Sequence, residues 1–243
     1  MDKRVFSASF EKNGSINGEA NQVPSLTSNN NFINFCLTVD LPLTNGQQIK
    51  TGSCNPAPMG VIAPTTNMPS SKFVSPKNLD TIRANTTFAV IMAVKHLATG
   101  FFTNPESTYY SAPQQLNSDN DTIGHTHFVI EQLSSIISTV PTDPSTFAFF
   151  SAVNNPADVQ GNVYINVTGG LPPGVYKLSS INTSANHVPV LVAVAQHGSL
   201  DDAVYVSVNL LHTTYLTKDP LLVQFYVTSD GSPPANLTAA VTS

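Results

Sequence analysis

The sequence predicts an all-β domain, an immunoglobulin-like β-sandwich with an irregular N-terminal arm closed by a disulfide. Three observations carry this. From residue 86 onward, short segments rich in Val, Ile, Thr and Tyr recur with Gly and Pro between them, the rhythm of a β-sandwich rather than of βαβ units. Helical periodicity is nearly absent. The segment Leu171-Pro172-Pro173-Gly174-Val175-Tyr176-Lys177-Leu178 has the turn-then-Tyr pattern that opens a late strand in such sandwiches, where the hydroxyl bonds backbone a few residues upstream.

Residues 1–71 are rich in Asn, Ser, Thr, Gly and Pro and read as an irregular arm with one strand, Phe32 to Val39. Thr65 to Ser71 reads as a connection, and a turn at residues 75–82 leads into Thr86–Val94, apolar on both faces and so a central strand. Further strands are expected at Thr126–Leu133, Asn162–Val167, Val175–Ile181, Val188–Ala195, Ala203–Leu211 and Leu221–Thr228. One short helix is expected where Asp143 caps, Pro144 takes the first helical position, and Phe147, Phe150 and Val153 share a face. The sandwich thus occupies residues 72–228, with 229–243 as a tail. Two long connections, 98–123 and 134–161, bracket the Thr126–Leu133 strand, and loops of that length serve function or cover.

Composition narrows the function classes. Only 10% of the 243 residues are charged, against roughly a quarter in ordinary soluble domains. The chain carries 50 Ser or Thr and 23 Asn, as is usual for secreted and cell-wall-associated β-proteins. A net charge of −5 without a basic run speaks against nucleic-acid partners. No window approaches 18 consecutive apolar residues, so no membrane span is expected. Lys3-Arg4 is a dibasic pair of the kind that secretory processing proteases cut after, with Met1 read as an initiator on an otherwise matured product. Cys36 and Cys54, 18 apart in a polar stretch, suit a disulfide better than a metal or redox centre, two separate thiols being the alternative. Six sequons, Asn85, Asn120, Asn166 and Asn182 among them, are candidate glycosylation sites, although this composition alone generates about five.

The sharpest chemistry lies in Gly124-His125-Thr126-His127. On an extended strand His125 and His127 share one face while Thr126, Phe128 and Ile130 take the other. Two imidazoles on one face form half of a zinc or copper site. Glu131 shares that face but lies six residues beyond His125, about 20 Å at strand rise, too far to complete it. A third ligand is expected from Asp119 or Asp121, or from His187 or His197. The last two flank Val188–Ala195, roughly 33 Å apart if extended, so only one can join. His197 is favoured, because Asp201-Asp202 follow it; the competing reading has both capping strand ends. His96 and His212 stand alone.

Other chemistries have little support. No Gly-X-Ser-X-Gly elbow and no protease-like Cys and His pattern is present. The 15 acids cluster in loops such as Asp201-Asp202, where a solvated turn is the default over a glycosidase pair. With no Trp, the aromatic pairs open to sugar are Tyr109-Tyr110 and Phe101-Phe102.

Several stretches resemble a family of small secreted proteins of mushroom-forming fungi. They are Phe32-Ile33-Asn34-Phe35-Cys36-Leu37-Thr38, the run from Asn45 to Gly60 containing Gly52-Ser53-Cys54-Asn55-Pro56, Gly124 to Leu133, Ala185 to Leu191, and Gln196 to Asp202. The resemblance spans about residues 22–208 and implies a signal peptide upstream, secretion, and no catalytic residues to carry over. Relatives tend to have cysteines where this chain has Ser179 and Ala203; their joint absence fits a disulfide lost as a pair and leaves Cys36 and Cys54 to each other. It also implies that residues after about 209 extend beyond the usual family end. More distantly, Gly-His-X-His opening a strand resembles bacterial sandwich domains with a Gly-His-His-His motif.

Three functional expectations follow. The first is a secreted extracellular or cell-surface protein with a binding or structural role, its partners a cell-wall polysaccharide or further copies of itself. The second is a copper- or zinc-dependent enzyme using His125 and His127. The third is a carbohydrate-binding module using Tyr109 and Tyr110.

Overall fold

Thr122–Leu133 forms the longest strand of the molecule, with Phe128 and Ile130 turned inward and His125, His127 and Glu131 turned the other way. In the computed structural model, which describes residues 2–15 and 22–209, this strand is β5. Before it come β1 (Ser70–Ser75), β2 (Thr81–Arg83), β3 (Phe88–Lys95) and β4 (Leu97–Ala98), and after it β6 (Phe149–Val153), β7 (Asn162–Val167), β8 (Gly174–Ser184) and β9 (Ala203–Asn209).

Two sheets form. The smaller has the order β1-β3-β7, so β3 is central in it as its two apolar faces predict, and the larger has the order β2-β9-β8-β5-β4. The far edge of β5 is shared: β4 pairs with its start in parallel, and β6 pairs antiparallel from Thr126↔Val153 to Ile130↔Phe149. Between the sheets lie Phe73, Val90, Met92 and Val94 from one side and Phe128, Ile130, Leu178, Val204 and Val206 from the other. Phe73 meets Phe128 edge-on at 5.3 Å. The expected corner is present, since the buried Tyr176 hydroxyl donates to Pro172 O at 3.0 Å.

One end of the interior is polar. Asp201 accepts from Ser180 Oγ at 2.9 Å and from Asn182 N at 2.8 Å, and burial pushes its carboxyl above the ordinary range. Asn182 Nδ2 donates to Ser71 Oγ at 2.8 Å and to Leu200 O at 3.0 Å. Asp202 accepts from Phe73 N at 2.8 Å. The Asp201-Asp202 pair is therefore a clasp between the sheets rather than the solvated turn its composition suggests. Asn182, only 3% exposed with its amide nitrogen engaged, is no glycan acceptor in this fold; Asn85, Asn120 and Asn166 are exposed.

Other expectations change for identifiable reasons. Phe32–Val39 is not a strand. Asn31 and Phe32 take positive φ, Phe35–Thr38 is a 3-10 turn, and Ile33 and Leu37 face solvent with no strand to pair with. The expected helix does not form, and residues 143–146 make a single hydrogen-bonded turn. The Asp143 carboxylate accepts from Ser145 N, but Phe149–Val153 then extends along the open edge of β5, where a ladder satisfies more backbone than a second helical turn. Val188–Ala195 makes only isolated bridges: Pro189 lacks a donor, and the Gln114 side chain takes both Leu191 N and Leu191 O. Strand β1 begins at Ser70 and Ser71, inside the expected Thr65–Ser71 connection. Residues 210–211, the expected strand 221–228, the tail, His212 and Asn236 lie outside the described residues.

Cys36 and Cys54 are joined by a disulfide, closing the expected loop in the arm. Changing both to Ser is expected to cost about 3 kcal/mol, from the loop-closure entropy returned to the unfolded chain. A urea midpoint unchanged from that of the oxidised wild type would refute this. Ser179 and Ala203 stand directly opposite across β8 and β9, the spacing that a pair of bridging cysteines needs.

Candidate metal centre

His125 and His127 face away from the sandwich interior yet are buried, at 0% and 9% exposure. The cover is the 98–123 connection. It is stitched to β5 by Phe101 N to Gly124 O at 3.1 Å, and to the turn after β8 by Thr103 N to Ala185 O at 3.0 Å and Tyr110 N to Asn186 O at 3.0 Å. Asn186 Nδ2 returns a bond to Thr108 O at 2.9 Å. The arm holds the connection from outside: Tyr109 N donates to Gly46 O at 2.9 Å, and Asn55 Nδ2 to Tyr110 O at 3.1 Å.

The turn after β8 delivers a third histidine. His187 takes φ 69, a left-handed conformation that costs a non-glycine residue about 1 kcal/mol or more. It is held there by His187 N to Ser184 O at 3.0 Å and Ser184 N to Val188 O at 2.8 Å. Ligand atoms of His125, His127 and His187 all lie within 4.8 Å of one another. His187, rather than the favoured His197, therefore joins the pair. His197 is exposed, with Nδ1 against Gly198 O at 2.6 Å, and takes no part in the cluster.

The hydrogen bonds decide the tautomers. A carbonyl can only accept, so His125 Nδ1 donates to Phe101 O at 3.1 Å and His187 Nε2 donates to Thr103 O at 2.9 Å. In the neutral rings this leaves lone pairs on His125 Nε2 and His187 Nδ1, and those two atoms face each other at 3.2 Å. A proton between them would require an imidazolium. Burial, then the neighbouring His127 and His187, pushes His125 down to about 4, so at neutral pH it does not supply one. Burial and His187 likewise push His127 down to about 4. The His127 nitrogens have no hydrogen-bond partner among the described residues; its ring stacks on Phe150 at 5.3 Å and on His187 at 5.7 Å.

Three clustered imidazoles, two of them with one nitrogen anchored to a carbonyl, share the second-shell pattern of metal-binding histidines. With metal–nitrogen bonds of about 2.0–2.1 Å, the His125 and His187 nitrogens 3.2 Å apart would subtend about 100–106° at an ion, while the widest separation in the cluster, 4.8 Å, exceeds the ~4.2 Å that two such bonds span, so the rings must close in to share it. The donor set is all nitrogen, which suits zinc or copper.

The other expected ligands are engaged elsewhere. Asp121 Oδ1 contacts His96 Nδ1 at 3.0 Å and accepts from Asn67 Nδ2 at 2.8 Å. Asp119 is exposed and serves through its carbonyl, which accepts from Asn67. Glu131 pairs with Lys177 Nζ at 2.5 Å and accepts from the Thr142 hydroxyl. Tyr109 and Tyr110 stack on each other with ring centres 4.0 Å apart, and Tyr109 lies 5.9 Å from His187. They wall the cluster instead of standing open. The anchoring carbonyls of Phe101 and Thr103 had no signal in the sequence, because a backbone acceptor has no residue type.

Residues 71–209, which contain all three histidines, match the family described as the CLU5d N-terminal domain. The chain belongs to that family. The chain is also similar to Pathogenicity cluster 5 protein d of Colletotrichum graminicola (strain M1.001 / M2 / FGSC 10212), at 41% identity over 203 residues. Those residues are 83% of this chain but 41% of that protein, so the chain spans well under half the length of its curated relative. The resemblance seen in the sequence is thus to a fungal family, and the CLU5d N-terminal domain is not specific to mushroom-forming fungi. Among the described residues no helix is long and apolar enough to cross a membrane.

Proposed function

We propose that this CLU5d N-terminal domain binds a zinc or copper ion through His125, His127 and His187, outside the fungal cell. The observation that carries the reading is the pair of lone pairs, His125 Nε2 and His187 Nδ1, held 3.2 Å apart by carbonyls on their far sides. Without a cation, this buried arrangement is repulsive. The disulfide and the low charge support an extracellular setting. A cell-wall or self-associating role fits the same setting and does not compete with the metal centre.

Bound to three neutral nitrogens, such an ion supplies a Lewis-acidic fourth position. The chain's own part is to hold the imidazoles in one tautomer, keep them dry, and fix their mutual angle.

Elemental analysis tests this on protein purified without a nickel column, equilibrated with zinc or copper and then desalted. About one equivalent is expected in the wild type and in His197→Ala, and less than a tenth in His125→Ala and His187→Ala. Circular dichroism on each variant separates loss of ligand from loss of fold. A folded wild type that retains less than a tenth of an equivalent overturns the reading.

A further inference from the structure

Three neutral imidazoles leave a divalent ion with its full charge, and among the described residues no carboxylate joins the cluster. Glu131, on the same sheet face, is neutralised by Lys177, and Asp121 is engaged by His96 and Asn67. An uncompensated charge beside groups this buried is costly. The remaining coordination position therefore calls for an anion that the protein does not provide.

Three phenylalanines border the cluster. Phe102 meets His125 edge-on at 6.2 Å, Phe150 stacks on His127 at 5.3 Å, and Phe147 lies 5.8 Å from Phe150. Each of these phenylalanines touches the cluster or its neighbour on one side and solvent on the other, at 50%, 47% and 51% exposure. Large apolar rings left in water beside a polar centre mark a binding surface. Hydroxide or chloride would neutralise the ion and leave the rings wet. A sugar would want an open aromatic platform, and the tyrosine pair is closed on itself.

We infer that the fourth ligand is a small organic carboxylate with an apolar body, its oxygen on the ion and its hydrocarbon part against Phe150 and Phe102. This rests on the metal-binding reading. The exchange is simple: the carboxylate replaces a bound water, and no bond within either partner breaks.

Cobalt(II) in place of the native ion makes the test visible, since its absorption bands shift when a ligand changes. The cobalt-loaded chain is titrated with sodium acetate and with sodium benzoate. Both are expected to shift the bands saturably, benzoate with a midpoint about tenfold lower, the effect of covering roughly 55 Å2 of ring surface at the usual transfer coefficient. In Phe150→Ala, at matched cobalt content, the preference is expected to fall to about twofold or less. Equal midpoints for the two acids, or no spectral response to benzoate, overturn this inference while leaving the metal centre standing. A folded chain that takes up no cobalt, zinc or copper overturns both.

Discussion

Gly124→Ala is expected to abolish the proposed metal binding and to weaken the fold together. A Cβ at Gly124 would lie 1.9 Å from Thr183 O, 2.9 Å from Thr183 C and 3.1 Å from Ser184 Cα. All three atoms are backbone, so no side chain can swing away. Strand β8 is held to β5 through the register from Gly124↔Ser184 to Leu133↔Val175, and a shift at its first pair lifts the end that carries His125. Gly124 O also receives Phe101 N at 3.1 Å, so displacing it draws the Phe101 carbonyl off His125. A destabilisation of about 1–3 kcal/mol is expected from the overpacking, with metal content falling below a tenth of an equivalent. Urea denaturation and elemental analysis check the two effects. Gly198→Ala, where an added Cβ meets nothing within 4 Å, is the matched control and should change neither. Full metal content in Gly124→Ala would mean that the close approach of β5 and β8 does not set the site.

Phe128→Ala is expected to separate the two faces of the same strand. Phe128 is 0% exposed and edge-on to Phe73 across the sandwich. Truncating it removes transfer energy and leaves a cavity that β5, paired on both sides, cannot collapse to fill. The expected cost is about 3–5 kcal/mol. Metal content per folded molecule should stay near one equivalent, because the neighbouring His127 projects from the opposite face. A loss below 1 kcal/mol in equilibrium unfolding would contradict the packing; loss of metal from the folded fraction would contradict the independence of the faces.

Features local to a few residues were legible in the sequence. The alternation that put His125 and His127 together, the bounds of β7, and the Tyr176 corner all depend on spacings of two to five positions. The third ligand was not legible, because His187 reaches the pair through a turn after β8 and lies 60 residues from His127 along the chain. His187 joins the pair and His197 does not, although Val188–Ala195 is not the extended strand assumed in holding them apart. Preference went to His197 because acids follow it, and those acids are drawn into the polar end of the sandwich by Ser180 and Asn182. Val188–Ala195 has β composition, but a side-chain amide takes the place of a partner strand there. Patterns of residue type do not reveal which backbone a Gln will satisfy.

The fastening of the 98–123 connection to Gly46, Asn55 and Asn186 has a kinetic consequence. The carbonyls that orient His125 and His187 sit on that connection, so a local opening that lifts it would free both rings at once and loosen a bound ion. A centre built this way would release its ion more slowly the more firmly the connection is fastened.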